Sequence, residues 1–142
     1  MKEGTYEVLK VSRMELEKRI LRRMTEQGTD IGLSLEDGIK LRHGDVIGNE
    51  ECMIVIEQLP EKVITVKVIN KDVRDVWILL GHVIGNRHRP ISIQNEEVCF
   101  PILADSEIEV FSKLFSGIME DIDMKIEEKI FLSHLGADVH EH

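Results

Sequence analysis

The sequence predicts an α+β chain in three parts: an antiparallel β domain over residues 1–60, a ferredoxin-like β-α-β-β-α-β domain over 61–128, and a flexible tail over 129–142. Three observations carry this. Short apolar stretches broken by frequent turn residues run as far as Pro60. Beyond it the rhythm changes, and two apolar stripes at helical spacing alternate with strand-like runs. From Lys129 onward no core periodicity is left.

Residues 14–18 read as a short helical turn. Residues 18–24 (KRILRRM) fit a helical stripe of Leu16, Ile20 and Met24, but the turn at 25–28 and the alternation of Ile31, Leu33 and Leu35 favour a strand pair. Turns at 36–38, 43–45 and 48–51 separate further short stretches, Ile39 with Leu41 and Val46 with Ile47. The run Met53, Ile54, Val55, Ile56 is continuous and apolar, which predicts a strand covered on both faces.

In the second part, residues 63–68 read as a strand. Asp72 stands where an N-cap would, ahead of Val73, Val76, Trp77, Leu80 and Ile84 at helical spacing. Gly85 is placed to end that helix in a left-handed conformation, and Pro90 prevents its resumption. Residues 91–93 and 98–100 flank 94–97 as a hairpin. Ser106 and Glu109 have capping-box spacing before a face of Ile108, Phe111, Phe115 and Ile118. Ile122, Met124 and Ile126 then alternate with charged residues, a half-buried strand that completes a split βαβ order.

Charge and composition exclude several functions. With 18 basic against 27 acidic residues the net charge is −9, and only 4% of residues are aromatic. Such a chain repels phosphate backbones and lacks stacking platforms, so no nucleic-acid partner is expected. No apolar run reaches membrane-spanning length, and MKEGTYEVLK lacks a signal-like hydrophobic stretch, so no membrane partner is expected. Cys52 and Cys99 form no close pair, which points to a reducing cytoplasm and to small buried hydrophobes. There is no Gly-rich phosphate loop, paired-His helix or Cys-x-x-Cys, and the carboxylates are mostly interleaved on solvent faces. No catalytic constellation emerges, and the chain does not read as an enzyme.

Histidine is the chemistry-bearing residue. Three of the six, His134, His140 and His142, fall in the last nine residues. The densest internal signal is Gly85-Asn86-Arg87-His88-Arg89-Pro90, which delivers His88 onto a loop between a helix and a strand. His88 either bonds a backbone carbonyl or serves as a metal ligand, and spacing leaves both readings open. His82, about 600° away around the helix, faces elsewhere and reads as packing or surface. His43 reads as turn surface. The tail histidines read either as incidental or as a mobile arm for Ni, Cu or Zn. One structured histidine per chain cannot close a site of about four ligands. A two-fold homodimer can, by bringing the two His88 side chains to its axis, with tail histidines or water completing an open, exchangeable shell.

Two stretches, LLGHVIGNRHRPISI and KRILRRMTEQGTDIGLSL followed by LRHGDVI, resemble the urease accessory protein E (UreE) family of nickel metallochaperones, in the same order over most of the chain. The resemblance implies a peptide-binding-like first domain and a ferredoxin-like metal-binding second one. It implies His88 as the principal Ni(II) ligand at a homodimer interface, with His134, His140 and His142 contributing, and Zn(II) or Cu(II) as substitutes in vitro. The implied partners are apo-urease and its accessory proteins, including the maturation GTPase. Two departures stand out. Residues 101–105 lack the additional histidine pair of some relatives, and the tail is too brief to store many ions. Alternative readings are an interaction adaptor whose metal site is not used for delivery, and a metal buffering or sensing module.

Overall fold

The stretch YEVLKV alternates so that Leu9 and Val11 fall on one face, and both are fully buried in strand β1 (Tyr6–Val11). A computed structural model describes residues 6–48, 51–70 and 72–133. In it the chain divides into two compact units, Met1–Leu59 and Pro60–His142.

In the first unit, a single 3₁₀ turn at Glu15–Glu17 follows β1 and buries Leu16. Its start is a reciprocal cap: the Glu15 N–H donates to Ser12 Oγ (3.1 Å) and the Ser12 N–H donates to Glu15 Oε1 (2.9 Å). Strands β2 (Ile20–Met24) and β3 (Asp30–Ser34) form an antiparallel hairpin whose turn uses Gly28 at φ 92°. Strands β4 (Val46–Gly48) and β5 (Met53–Gln58) also pair antiparallel, giving a sheet of order β1-β5-β4.

Two expectations change here. The unit is not wholly antiparallel, because β1 runs parallel to β5 with Leu9 opposite Ile56. That pairing joins segments over forty residues apart, so no local turn signal announces it. Nor is β5 covered on both faces: Ile54, Ile56 and Gln58 are buried, while the alternate residues are half-buried. Leu9, Val11, Leu16, Leu21, Ile54 and Ile56 make the core.

The second unit follows a β-α-β-β-α-β order: β6 (Glu61–Val68), α1 (Arg74–Asn86), β7 (Ser92–Gln94), β8 (Glu97–Pro101), α2 (Glu107–Leu114) and β9 (Ile122–Lys129). The sheet order is β7-β8-β6-β9, antiparallel at each pairing. One core gathers Ile64, Val66 and Val68 of β6 with Val76, Leu80 and Ile84 of α1 and Phe111 of α2. Phe111 sits between Phe100 (4.6 Å between ring centroids) and Phe115 (5.9 Å), tilted as aromatic quadrupoles prefer. Asn95 (φ 50°) and Glu96 (φ 65°) form the two-residue turn between β7 and β8.

Neither expected N-cap forms. Val73, extended and without a side-chain cap, precedes α1 where Asp72 was expected to act. Ser106 has helical φ and ψ and makes no side-chain cap at α2. The first N–H groups of α2 are met instead by turn carbonyls, Glu107 by Ala104 O (3.1 Å), Ile108 by Asp105 O (3.2 Å) and Glu109 by Ser106 O (3.2 Å). The Glu107 carboxylate accepts the N–H groups of Leu103 (2.5 Å) and Ala104 (3.3 Å) in the preceding turn. The stretch expected as tail also begins differently. Lys129 closes β9, and Phe131, 1% exposed, packs on Val63 and Cys99 against the other face of the sheet. That face carries a cavity of about 300 Å³ lined by Thr65, Ser92, Gln94, Cys99 and Phe131 among others.

Candidate metal centre

Helix α1 ends in a Schellman motif, and His88 sits at its critical position. The Arg87 backbone closes the helix at φ −90°. The His88 N–H donates to Gly85 O (2.9 Å), and the Arg89 N–H reaches back to Ile84 O (3.4 Å). These bonds, three and five residues long, make His88 the residue just past the cap, which must turn left-handed. Its φ is 56°.

This corrects the placement at Gly85, which is helical and has no positive φ. Residues with a Cβ pay about 1–2 kcal/mol for the left-handed conformation, so glycine is the usual occupant. A histidine held there exposed, at the end of a buried helix face, is a backbone outlier of the kind that clusters at functional positions.

The residue after it is anchored. Arg89 Nη1 donates to Pro101 O (2.8 Å), Nη2 pairs with the Glu107 carboxylate, and the guanidinium lies 5.6 Å from the Phe111 ring centroid. Burial alone raises the Glu107 carboxyl, but the Leu103 N–H and the Arg89 guanidinium outweigh it and hold the group below its ordinary value. Sequence reasoning passed over both residues. Pro90 was the available signal, since proline often follows this kind of helix end by one or two residues.

The other histidines separate. His82 is exposed on α1 with Nε2 3.2 Å from Asn86 Nδ2. His43 is more than turn surface: its Nδ1 accepts the Gln58 N–H at 3.0 Å, pinning the turn to β5. His134, His140 and His142 lie outside the described residues. Cys99 is buried, and burial pushes its thiol up, away from the thiolate that a metal needs. Cys52 Sγ lies 3.6 Å from a Glu7 carboxylate oxygen. Among the described residues, no three His, Cys, Asp or Glu side chains come together as a metal-binding group. His88 therefore needs ligands from elsewhere to hold an ion.

Residues 2–58, nearly all of the first unit, match the family described as UreE urease accessory protein, N-terminal domain. The chain is also similar to the urease accessory protein UreE of Bacillus cereus, with 37% identity over 93 residues, 65% of this chain and 58% of that protein. The protein of that name from Lysinibacillus sphaericus is 40% identical over 85 residues, 59% of this chain and 55% of the relative. The chain is similar to UreE proteins. A third UreE, from Yersinia bercovieri, is 30% identical over 111 residues, 72% of this chain and 49% of its own. The matched stretches are too long to lie within the first unit alone, so the UreE likeness reaches into the unit that carries His88. They span about half the length of these relatives.

Proposed function

We propose that this chain is a nickel carrier of urease maturation, binding Ni(II) through His88 of two protomers in a homodimer and releasing it to apo-urease. The observation that carries the proposal is the histidine at φ 56°, a position whose backbone favours glycine, on an exposed turn next to an anchored arginine. Kinship with proteins named as urease accessory proteins supplies the setting.

The chemistry follows from the ligand count. Imidazole is a borderline donor that suits nickel, copper and zinc, and Zn(II) or Cu(II) will occupy the same ligands in vitro. One histidine per chain leaves the shell unfinished, and a two-fold axis doubles it. His134, His140 and His142 complete it as tail ligands. A site built this way stays open and gives up its ion, as a carrier requires and a closed cage does not.

The second unit is the ferredoxin-like metal-binding part. The first is the peptide-binding-like part that engages apo-urease and its accessory proteins, including the GTPase. No helix among the described residues is long and apolar enough to cross a membrane, and a carrier working on an apoenzyme belongs in the cytoplasm with it. The role is delivery and not catalysis.

Calorimetric titration of the full chain with Ni(II) tests the reading. His88→Ala abolishes tight binding by the dimer while the fold survives. Undiminished tight binding in that variant overturns the assignment.

A further inference from the structure

We infer that Arg89 is a positioning residue for His88: its side chain ties the left-handed turn to β8 and α2 and so fixes where the metal-binding imidazole stands. The inference rests on His88 being a nickel ligand and adds what holds that ligand in place.

The helix end by itself holds the turn weakly. Of the backbone bonds at this end, those of Arg87 to Ile84 O (3.1 Å) and His88 to Gly85 O (2.9 Å) are ordinary, but that of Arg89, which closes the left-handed turn, is stretched to 3.4 Å. Left to these alone, a non-glycine residue at φ 56° relaxes toward negative φ, and its side chain leaves the chain in another direction. Two neighbours oppose this. On one side Pro90 has a fixed φ and cannot follow a helical continuation. Within the turn, Arg89 is clamped.

The clamp joins elements distant in sequence. Arg89 Nη1 donates to the carbonyl of Pro101, the last residue of β8 (2.8 Å), and Nη2 pairs with Glu107 at the start of α2. The guanidinium also lies 5.6 Å from the Phe111 ring centroid, inside the range for a cation–π contact. The partners' side chains are 24% and 19% exposed, so this is not a loose surface pair. Glu107 is fixed in turn by the N–H groups of Leu103 and Ala104 on its other oxygen. A planar fork is needed to reach a carbonyl and a carboxylate together, which a lysine ammonium on its flexible stem does poorly.

The test is a nickel titration of the full chain in the wild type, Arg89→Ala, Arg89→Lys and Glu107→Gln, each also combined with His88→Ala. It is read beside the NMR intraresidue HN–Hα NOE of residue 88, which is strong at positive φ. On the scale of lost outer-shell partners, Arg89→Ala weakens binding about 10-fold or more, and Arg89→Lys also binds more weakly than wild type. The NOE at residue 88 falls in parallel, and neither change adds anything in the His88→Ala background. Wild-type affinity in Arg89→Ala, with binding lost in His88→Ala, overturns the clamp. So does weakened binding with the NOE unchanged, because the effect then bypasses the turn. If His88→Ala binds as wild type, the ligand reading falls, and the NOE alone decides whether Arg89 holds the turn. Glu107→Gln carries the same comparison if Arg89→Ala fails to fold.

Discussion

At the turn carrying His43, the left-handed conformation passes to the next residue, Gly44 (φ 91°), and the imidazole Nδ1 accepts the Gln58 N–H. At the turn carrying His88, the histidine itself takes φ 56°, and the Arg89 side chain beside it ties the turn to Pro101 and Glu107. The first histidine serves the fold through its ring, with a glycine beside it absorbing the backbone demand. The second occupies a backbone position that suits glycine and presents its ring on an exposed turn. Two exposed histidines thus differ in what removing each should cost, and four experiments bear on the two turns.

The largest expected effect is on metal affinity. His88→Ala weakens Ni(II) binding more than about 100-fold, since even outer partners of metal ligands are worth roughly 10–100-fold. His43→Ala leaves it unchanged, and calorimetry showing equal losses would erase the contrast. Next comes folding stability: His43→Ala removes the acceptor of the Gln58 N–H, in a residue only 4% exposed, and costs about 1–3 kcal/mol in urea unfolding. A cost within experimental scatter would return His43 to plain turn surface.

His88→Gly should act in the opposite sense, raising stability by about 0.5–1 kcal/mol, because glycine takes φ 56° without the Cβ penalty but loses more chain entropy on folding. A destabilised glycine variant would show that the ring supports the fold after all. The smallest effect is one of pH. Glu107 is held below its ordinary value, so its contribution is complete above the unfolded carboxyl pKa of about 4.3 and is lost as pH falls through the lower folded value. Glu107→Gln therefore lowers Tm at neutral pH, and the gap to wild type narrows on acidification below about pH 4.3. A gap that widens there contradicts the sign.

Where periodicity was long, the sequence was legible. The stripe Val76, Leu80, Ile84 is buried in α1, the stripe Phe111, Phe115, Ile118 is buried in and just after α2, and the alternation after Ile122 is β9. Pairings between distant segments were not, and so the parallel match of β1 to β5 went unseen. Capping went astray for a local reason. Ser106 and Ser12 both precede a glutamate by three residues, yet only Ser12 and Glu15 close the reciprocal bonds, while Ser106 is already helical. The site divides similarly. His88 stood out by its place between helix end and proline, but its left-handed backbone was assigned to Gly85, because residue type favours glycine and only the bonds to Ile84 and Gly85 decide. Arg89 and Glu107 meet across eighteen residues, and no spacing rule joins them.

Phe131 has a chemical consequence. It clusters with Val63 and Cys99, whose thiol is 6% exposed and pushed up by burial. A thiol reagent that enters the cavity lined by Cys99 meets that sulfur beside Phe131, and lifting of the Phe131 segment widens its access. The rate of Cys99 alkylation, read by mass spectrometry, therefore rises in Phe131→Ala and reports how well that ring closes the face of the sheet.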